Sequence, residues 1–261
     1  MNDLQHIFAL DFAYLETFTT HTHTNWGILF CNENNPLYFD ANHAHISEFS
    51  TEPQSIIHEV VKFYQSKGII PRFYIYNLDK QKEFISLLKI NKFRFEELIT
   101  PVQLWNKKIF EKAAPENMTI ELVTEKNYVE ALEIECSIKE FGGKEVREKA
   151  FEQEFKHSKY NHYLLRYNDI ACATACLFIN EQQARMESVA TLKDYRGKGF
   201  IGFLIQHIQK EVANMGLENL WVFPINEKIG KVYQKYGFTT VEKIKMGHAY
   251  LEGRSIHEIQ E

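Results

Sequence analysis

The feature that most constrains this chain is a glycine-rich loop that runs directly into a long amphipathic helix. Apolar residues recur at three- to four-residue spacing from Gly199 to Met215, which predicts the helix. Glycines let a backbone approach an anion closely, and the free N–H groups at a helix start favour negative charge. The sequence therefore predicts a pyrophosphate-binding loop, made of Arg196, Gly197, Lys198, Gly199, Phe200, Ile201 and Gly202.

Two other phosphate-binding patterns fit this loop poorly. The spacing G-x-G-x-x-G also occurs in dinucleotide-binding turns, where the turn follows its strand at once and an acidic residue ends the next strand. Here Lys193 and Asp194 separate the loop from the predicted strand Arg185–Leu192. The next predicted strand runs into Pro224, and only about 60 residues follow Gly202. No Gly-Lys-Ser/Thr follows at the spacing of a Walker A loop.

A second motif lies downstream of the loop. It has the form N-x-x-A-x-x-x-Y-x-x-x-G-F and is matched by Asn226, Tyr233, Gly237 and Phe238, with Ile229 in place of Ala. The loop itself matches the form Q/R-x-x-G-x-G/A through Gly199 and departs at Ile201. In this order the two motifs resemble the GNAT (Gcn5-related N-acetyltransferase) superfamily, and the resemblance covers residues 118 to about 250.

This resemblance implies an α/β (α+β) fold whose mixed sheet opens after the strand Arg185–Leu192. The pantetheine arm of acetyl-CoA would bind the edge of that strand at Val189, Ala190 and Thr191. The expected activity is an acetyl-CoA-dependent N-acetyltransferase that acts on a primary amine of a small-molecule acceptor, with acetyl-CoA as cosubstrate and no metal. Two rivals stay open: a catalytically inactive CoA-binding or interaction protein, and a nicotinamide-dependent enzyme.

The resemblance also suggests roles for three side chains. Tyr233 stands where the family often places the acid that protonates the departing thiolate, although a packed aromatic is the alternative. Glu187 could be the base, since burial would raise its pKa toward neutrality; a salt-bridged strand residue or an ordered water are the alternatives. Asn226 could bind the coenzyme, cap the following helix, or do both.

The chain is also expected to contain two halves. The polar segment Lys107–Met118 predicts a linker, which gives residues 1–115 and 116–261. Each half is expected to be GNAT-like, with a mixed, mostly antiparallel sheet flanked by helices, and the C-terminal one complete. The helix–strand–helix–strand order from residue 55 to 105 repeats that from 208 onward, although this order is also common by chance. The residues at 49–54 lack glycine and basic side chains, so the first half is predicted to be degenerate, as in tandem bacterial GNAT proteins, and to wall the acceptor site or form a homodimer.

Composition excludes several classes of partner. The net charge of -5 gives no basic field for nucleic acid. No signal peptide and no membrane-spanning apolar run of roughly 18 residues is visible, and the four cysteines suit a reducing cytoplasm. The pairs His21/His23 and His43/His45 lack a completing ligand, so no metal site is predicted, and a turn is expected around Asp40–His43.

Overall fold

In the computed structural model, the described residues are 3–47, 52–109 and 111–260. They form two compact units, one made of residues 3–10 and Thr100–Lys243, the other of Asp11–Ile99 and residues 244–260. The helices are α1 (Asp3–Leu15), α2 (Pro53–Gln65), α3 (Lys82–Ile90), α4 (Tyr128–Cys136), α5 (Lys144–Phe155), α6 (Phe200–Asn214), α7 (Glu227–Gln234) and α8 (Ile256–Gln260). The strands are β1 (Thr20–His23), β2 (Gly27–Cys31), β3 (His43–Ile46), β4 (Arg72–Ile75), β5 (Arg94–Trp105), β6 (Met118–Leu122), β7 (Tyr160–Tyr167), β8 (Ile170–Asn180), β9 (Gln183–Thr191), β10 (Asn219–Val222) and β11 (Phe238–Tyr250).

The unit that contains Thr100–Lys243 has a mixed sheet with the strand order β5-β10-β9-β8-β7-β6. Only the β9–β10 pair is parallel, and the other neighbours are antiparallel. The strands β7 and β8 are joined by a tight two-residue hairpin turn, in which Asn168 and Asp169 both have positive φ angles (52° and 60°). This is the mixed, mostly antiparallel sheet with flanking helices that the sequence predicts.

Helices cover both faces of this sheet. On one face, α6 buries the apolar side that its periodicity predicts, with Leu204, Ile205, Ile208 and Val212 packed in one cluster with the small and apolar residues of β8. On the other face, Ile134 of α4 and Phe151 of α5 pack against Leu164 of β7. The loop before α6 is therefore anchored to a rigid core, which can hold its backbone in a fixed geometry.

The unit that contains Asp11–Ile99 has the strand order β1-β2-β3-β4-β11, in which β3 and β4 are parallel. Its core includes Tyr64 and Val60 of α2, Phe73 of β4 and Leu88 of α3. The turn expected around Asp40–His43 is wrong at its end, because His43 begins β3 and is buried. The His43 ring stacks on Tyr74 at 4.1 Å between centroids, and such ring contacts favour an ordered strand over a solvated turn.

The domain boundary at residue 115 stays a prediction. The two compact units meet at other positions along the chain, between residues 10 and 11, 99 and 100, and 243 and 244. The strand that follows α3, β5, pairs with β10 of one unit, and the strand that follows α7, β11, pairs with β4 of the other. The structure describes the predicted linker Lys107–Met118 except for Phe110. Of the segment 49–54, it describes residues 52–54. Among the described helices, none combines the length and apolar character needed to cross a bilayer.

Candidate functional site

The loop before α6 has the backbone conformation that its glycines predict. After a short 3₁₀ turn at Lys193–Tyr195, Gly197 and Gly199 have φ angles of 78° and 80°, a region that other residues adopt at a cost. Gly199 is the N-cap residue of α6 and has no side chain that could accept a hydrogen bond from the N–H groups of the first turn. Apart from the adjoining residues, no atom of the described chain lies within 4 Å of the position that a Cβ would take at Gly197 or Gly199. Open space and free N–H groups therefore coincide, as an anion site requires.

The first turn of α6 explains the departure of this loop from the family pattern. Ile201 packs against the core of the unit, so its side chain points away from the open space beside the glycines. Gly202 is buried in the helix, and a Cβ there would overlap the hydroxyl and ring of Tyr236. A small residue is therefore required at position 202, because α6 and Tyr236 are in contact there.

Two basic side chains flank the loop. Arg196 is exposed, and its Nε donates a hydrogen bond of 3.1 Å to the carbonyl oxygen of Thr191. The Nζ of Lys198 lies 4.7 Å from the centre of the Tyr195 ring. Both cations therefore stand beside the N-terminus of α6, where they add to the positive end of the helix dipole.

The sheet opens next to this loop. β10 pairs with β9 only over Gln183–Met186, whereas β8 pairs with β9 out to Thr191. Across the described chain, the β9 edge that includes Val189, Ala190 and Thr191 therefore has no ladder partner on β10. Ser188, with a φ of 49°, lies in the irregular stretch of β9 where the ladder with β8 shifts register. This is the opening that the family resemblance implies, and its backbone groups are available to a ligand.

Tyr233 lies on α7 and is buried. Its ring contacts Phe238 edge to face, with 5.7 Å between centroids. Burial, and secondarily the negative charge of Glu187, raise the pKa of the Tyr233 phenol. The phenol is therefore protonated at every physiological pH, as a proton donor must be. The same helix begins with Asn226, whose side-chain oxygen accepts a 2.9 Å hydrogen bond from the Ile229 N–H, which confirms the capping role.

Glu187 lies on β9 directly opposite Cys176 of β8. Its side chain is only 20% exposed and forms an ion pair with Arg185, whose guanidinium stacks 4.1 Å from the centre of the Phe223 ring. Such a cation stabilises the ionised carboxylate, and only the ionised form can accept a proton. The salt-bridged alternative for Glu187 is thus present, and a carboxylate paired in this way is a weaker base than an unpaired buried one.

Sequence reasoning missed a group of charged residues buried between the helices and the sheet. Glu135, Arg147, Glu154 and His162 are each at most 3% exposed. In the sequence they share helical and strand faces with apolar residues, but charged side chains at such positions ordinarily reach solvent, so the pattern does not indicate that they are buried. One feature of the sequence could have indicated them. The helix α5 has only a weak apolar face, although it packs against the sheet, so polar side chains must occupy part of the buried face.

Comparison with known proteins agrees with this geometry. Residues 127–238 match the acetyltransferase (GNAT) family model. The whole fold is similar to that of a GCN5-related N-acetyltransferase from Kribbella flavida, with a TM-score of 0.68 at 14% identity over 97% of each chain. It is also similar to a conserved protein of unknown function from Staphylococcus epidermidis ATCC 12228, with a TM-score of 0.68 at 13% identity over 89% of this chain and 93% of that one.

A third solved structure, a GCN5-related N-acetyltransferase from Sphaerobacter thermophilus, has a TM-score of 0.61 at 13% identity and covers 82% of this chain and 74% of its own. No curated protein matches the chain. At such identities the solved structures show the similarity of the fold only. The family model identifies the family of the segment that contains the loop, the open strand edge and Tyr233. Residues 127–238 of this chain therefore form an acetyltransferase domain of the GNAT family.

Proposed function

We propose that this chain transfers the acetyl group of acetyl-CoA to a primary amine of a small-molecule acceptor. One observation carries the proposal: the open, positive-φ loop at Gly197 and Gly199 lies at the N-terminus of α6, next to the unpaired edge of β9. A loop of this kind accepts a pyrophosphate, and a strand edge accepts the amides of a pantetheine arm.

The residues of the loop and strand divide the binding of the coenzyme. The N–H groups from Gly197 to Ile201, with that of Phe200 among them, would hold the phosphates, while Arg196 and Lys198 would neutralise them; the Gly202 N–H donates to the carbonyl oxygen of Gly199. The backbone groups of Val189, Ala190 and Thr191 would hold the pantetheine arm. Asn226 is occupied as the cap of α7, so any contact it makes with the coenzyme comes from its remaining polar groups.

The chemistry needs one proton acceptor and one proton donor. Acetyl-CoA supplies the thioester, whose C–S bond breaks as the amine nitrogen bonds to the carbonyl carbon. The Glu187 carboxylate accepts the proton that the amine loses, directly or through a water. The Tyr233 phenol donates its proton to the departing sulfur, because a thiolate with a conjugate acid of pKa about 8.5 is a base that needs neutralising in a dry site.

The predicted homodimer and the predicted cytoplasmic location extend this proposal and need their own tests. A sedimentation measurement on the purified chain distinguishes a monomer from a dimer. The acceptor is expected to be a small amine, which an amine panel can identify.

An assay of thiol release from acetyl-CoA over an amine panel tests the activity. Turnover with at least one amine supports the enzyme; tight acetyl-CoA binding without turnover on any amine favours the inactive CoA-binding alternative. Thermal shifts with acetyl-CoA and with NADH in parallel test the cofactor, since only a ligand of the folded protein raises its melting temperature.

The double variant Arg196→Ala/Gly199→Asp tests the loop, because it removes one cation and puts a carboxylate where the pyrophosphate would lie. Gly216→Asp is the matched control: Gly216 also has a positive φ (69°) and open space, but it follows the C-terminus of α6. We expect the double variant alone to lose affinity for acetyl-CoA. Equal affinity in both variants contradicts the assignment of the loop.

A further inference from the structure

A buried cluster of five polar side chains lies between the sheet and the helices α4 and α5. Its members come from α4 (Glu135), α5 (Arg147 and Glu154), β7 (His162) and β8 (Cys176), and each is at most 3% exposed. A group of buried charges is costly unless each charge is paired. The partners of each side chain therefore decide what the cluster can hold.

Three of these side chains present metal-binding atoms to one point. The Nε2 of His162 lies 3.7 Å from the Sγ of Cys176 and 3.8 Å from the Oε2 of Glu154, and all three atoms lie within 4.8 Å of one another. Zinc bonds of about 2.0–2.3 Å at a tetrahedral angle separate neighbouring ligand atoms by about 3.4–3.6 Å. The two separations from His162 are within a few tenths of an ångström of that spacing, and the separation from Glu154 is too long for a strong hydrogen bond.

The second ring nitrogen of His162 supports the same conclusion. Within the described residues, the Nδ1 of His162 and the Oε1 of Glu135 are both buried without a hydrogen-bond partner, and they face each other at 3.8 Å. A metal-bound histidine almost always donates its other N–H to a carboxylate or carbonyl. A small approach of these two atoms would give each the partner that it lacks.

The charges of the cluster also favour a cation. Arg147 donates from Nε to Glu135 at 2.6 Å, from Nη1 to Oε1 of Glu154 at 3.0 Å and from Nη2 to Oε2 of Glu154, so one guanidinium serves two carboxylates. The two carboxylates and one guanidinium leave a net charge of -1. A divalent ion bound by a Cys176 thiolate brings the buried sum to zero. The Glu154 carboxylate can accept hydrogen bonds from Arg147 and bind the ion at the same time, because a carboxylate offers about four lone-pair sites.

We propose that Glu154, His162 and Cys176 bind a structural zinc ion, with Glu135 as the hydrogen-bond partner of the His162 ring. Thiolate, imidazole and carboxylate are the ligands that zinc accepts, and a water or the second oxygen of Glu154 completes its coordination. The ion would tie α5 to β7 and β8. The site does not depend on the proposed transfer reaction. It is invisible in the sequence, because the ligands stand 8 and 14 residues apart on three elements.

Metal analysis of the full chain tests this site. The chain is expressed without a metal-binding tag, and its zinc content is measured by mass spectrometry, alongside the variants Cys176→Ser and Cys172→Ser. Cys172 is the matched control, since it is a buried free cysteine of the same strand and lies outside the cluster. We expect about one zinc per chain in the wild type and in Cys172→Ser, and a loss of zinc in Cys176→Ser.

Cobalt substitution keeps the test decisive even where a variant fails to fold. Wild-type chain expressed with Co²⁺ in place of zinc is expected to show a thiolate-to-cobalt charge-transfer band, which Cys172→Ser retains. A wild type with no charge-transfer band and no more zinc than Cys176→Ser overturns the site. So does a nitrogen NMR signature of His162 protonated at both ring nitrogens in wild-type protein equilibrated with zinc, because a zinc-bound imidazole carries no proton on the nitrogen that binds the metal.

Discussion

The replacement Tyr233→Phe is the most informative test of the proposed chemistry. It removes the proton that the phenol would donate and keeps the ring that packs edge to face on Phe238. Because the buried area of the ring is nearly unchanged, the fold and the binding of acetyl-CoA should remain. The rate of the chemical step should fall.

The size of the fall follows from the environment of the phenol. A positioned general acid contributes about 10²–10⁴ to a rate. Burial and the charge of Glu187 raise the pKa of Tyr233 above its ordinary value, which is already higher than that of a thiol. The proton transfer is therefore unfavourable in equilibrium terms, and we expect the lower end of the range, about a hundredfold, or about 2.7 kcal/mol.

The assay is steady-state thiol release at saturating acetyl-CoA, with the dissociation constant measured separately. Tyr163→Phe is the control, because Tyr163 is a second buried phenol of the same core whose pKa burial also raises. Loss of kcat in Tyr233→Phe alone, with an unchanged dissociation constant, supports the acid. An unchanged kcat, or an equal fall in both variants, refutes it.

Three further predictions test other parts of the molecule. Glu187→Gln should lower kcat by about a hundredfold if the carboxylate is the base, whereas the exposed Glu181→Gln should not; a fall of less than about twofold in Glu187→Gln assigns the base to a water. Gly202→Ala should lower the free energy of unfolding, since the overlap with Tyr236 costs about 1–3 kcal/mol against a helix gain of about 1 kcal/mol; an unchanged urea midpoint contradicts this. Burial lowers the pKa of His45 to about 3, so unfolded His45 binds a proton more readily than folded His45. The contribution of neutral, buried His45 to the free energy of unfolding is complete above about pH 7. It falls as the pH drops below about 6.5 and is smaller by about 2 kcal/mol at pH 5. His45→Gln should flatten that part of the pH profile, and an equal slope in both proteins rules the assignment out.

Much of the site follows from the sequence because its parts are local. The period of the apolar residues from Gly199 to Met215 predicts α6, and the glycines before it predict the positive φ angles found at Gly197 and Gly199. Asn226 stands three residues before the amide that it caps. Each of these features joins residues a few positions apart, so the pattern contains both partners.

The sequence could not predict features whose partners are distant along the chain. The contact with Tyr236 explains the small residue at position 202. Arg185, the ion-pair partner of Glu187, stacks on the ring of Phe223. His43 was expected in a turn, and its place in β3 follows from a stack on Tyr74, 31 residues away. The pairing of β5 with β10 and of β11 with β4 likewise joins strands that are far apart along the chain.

The sequence by itself determined the family of residues 127–238, the loop at the start of α6 and the position of Tyr233, because these depend on backbone conformation and short spacing. Only the tertiary structure decided which charged residues are buried. Charge alone describes Arg147 and Glu135 as solvated, and their burial requires that α4 and α5 bring opposite charges to one point. Burial of charge is a property of the surroundings, which the local sequence does not contain.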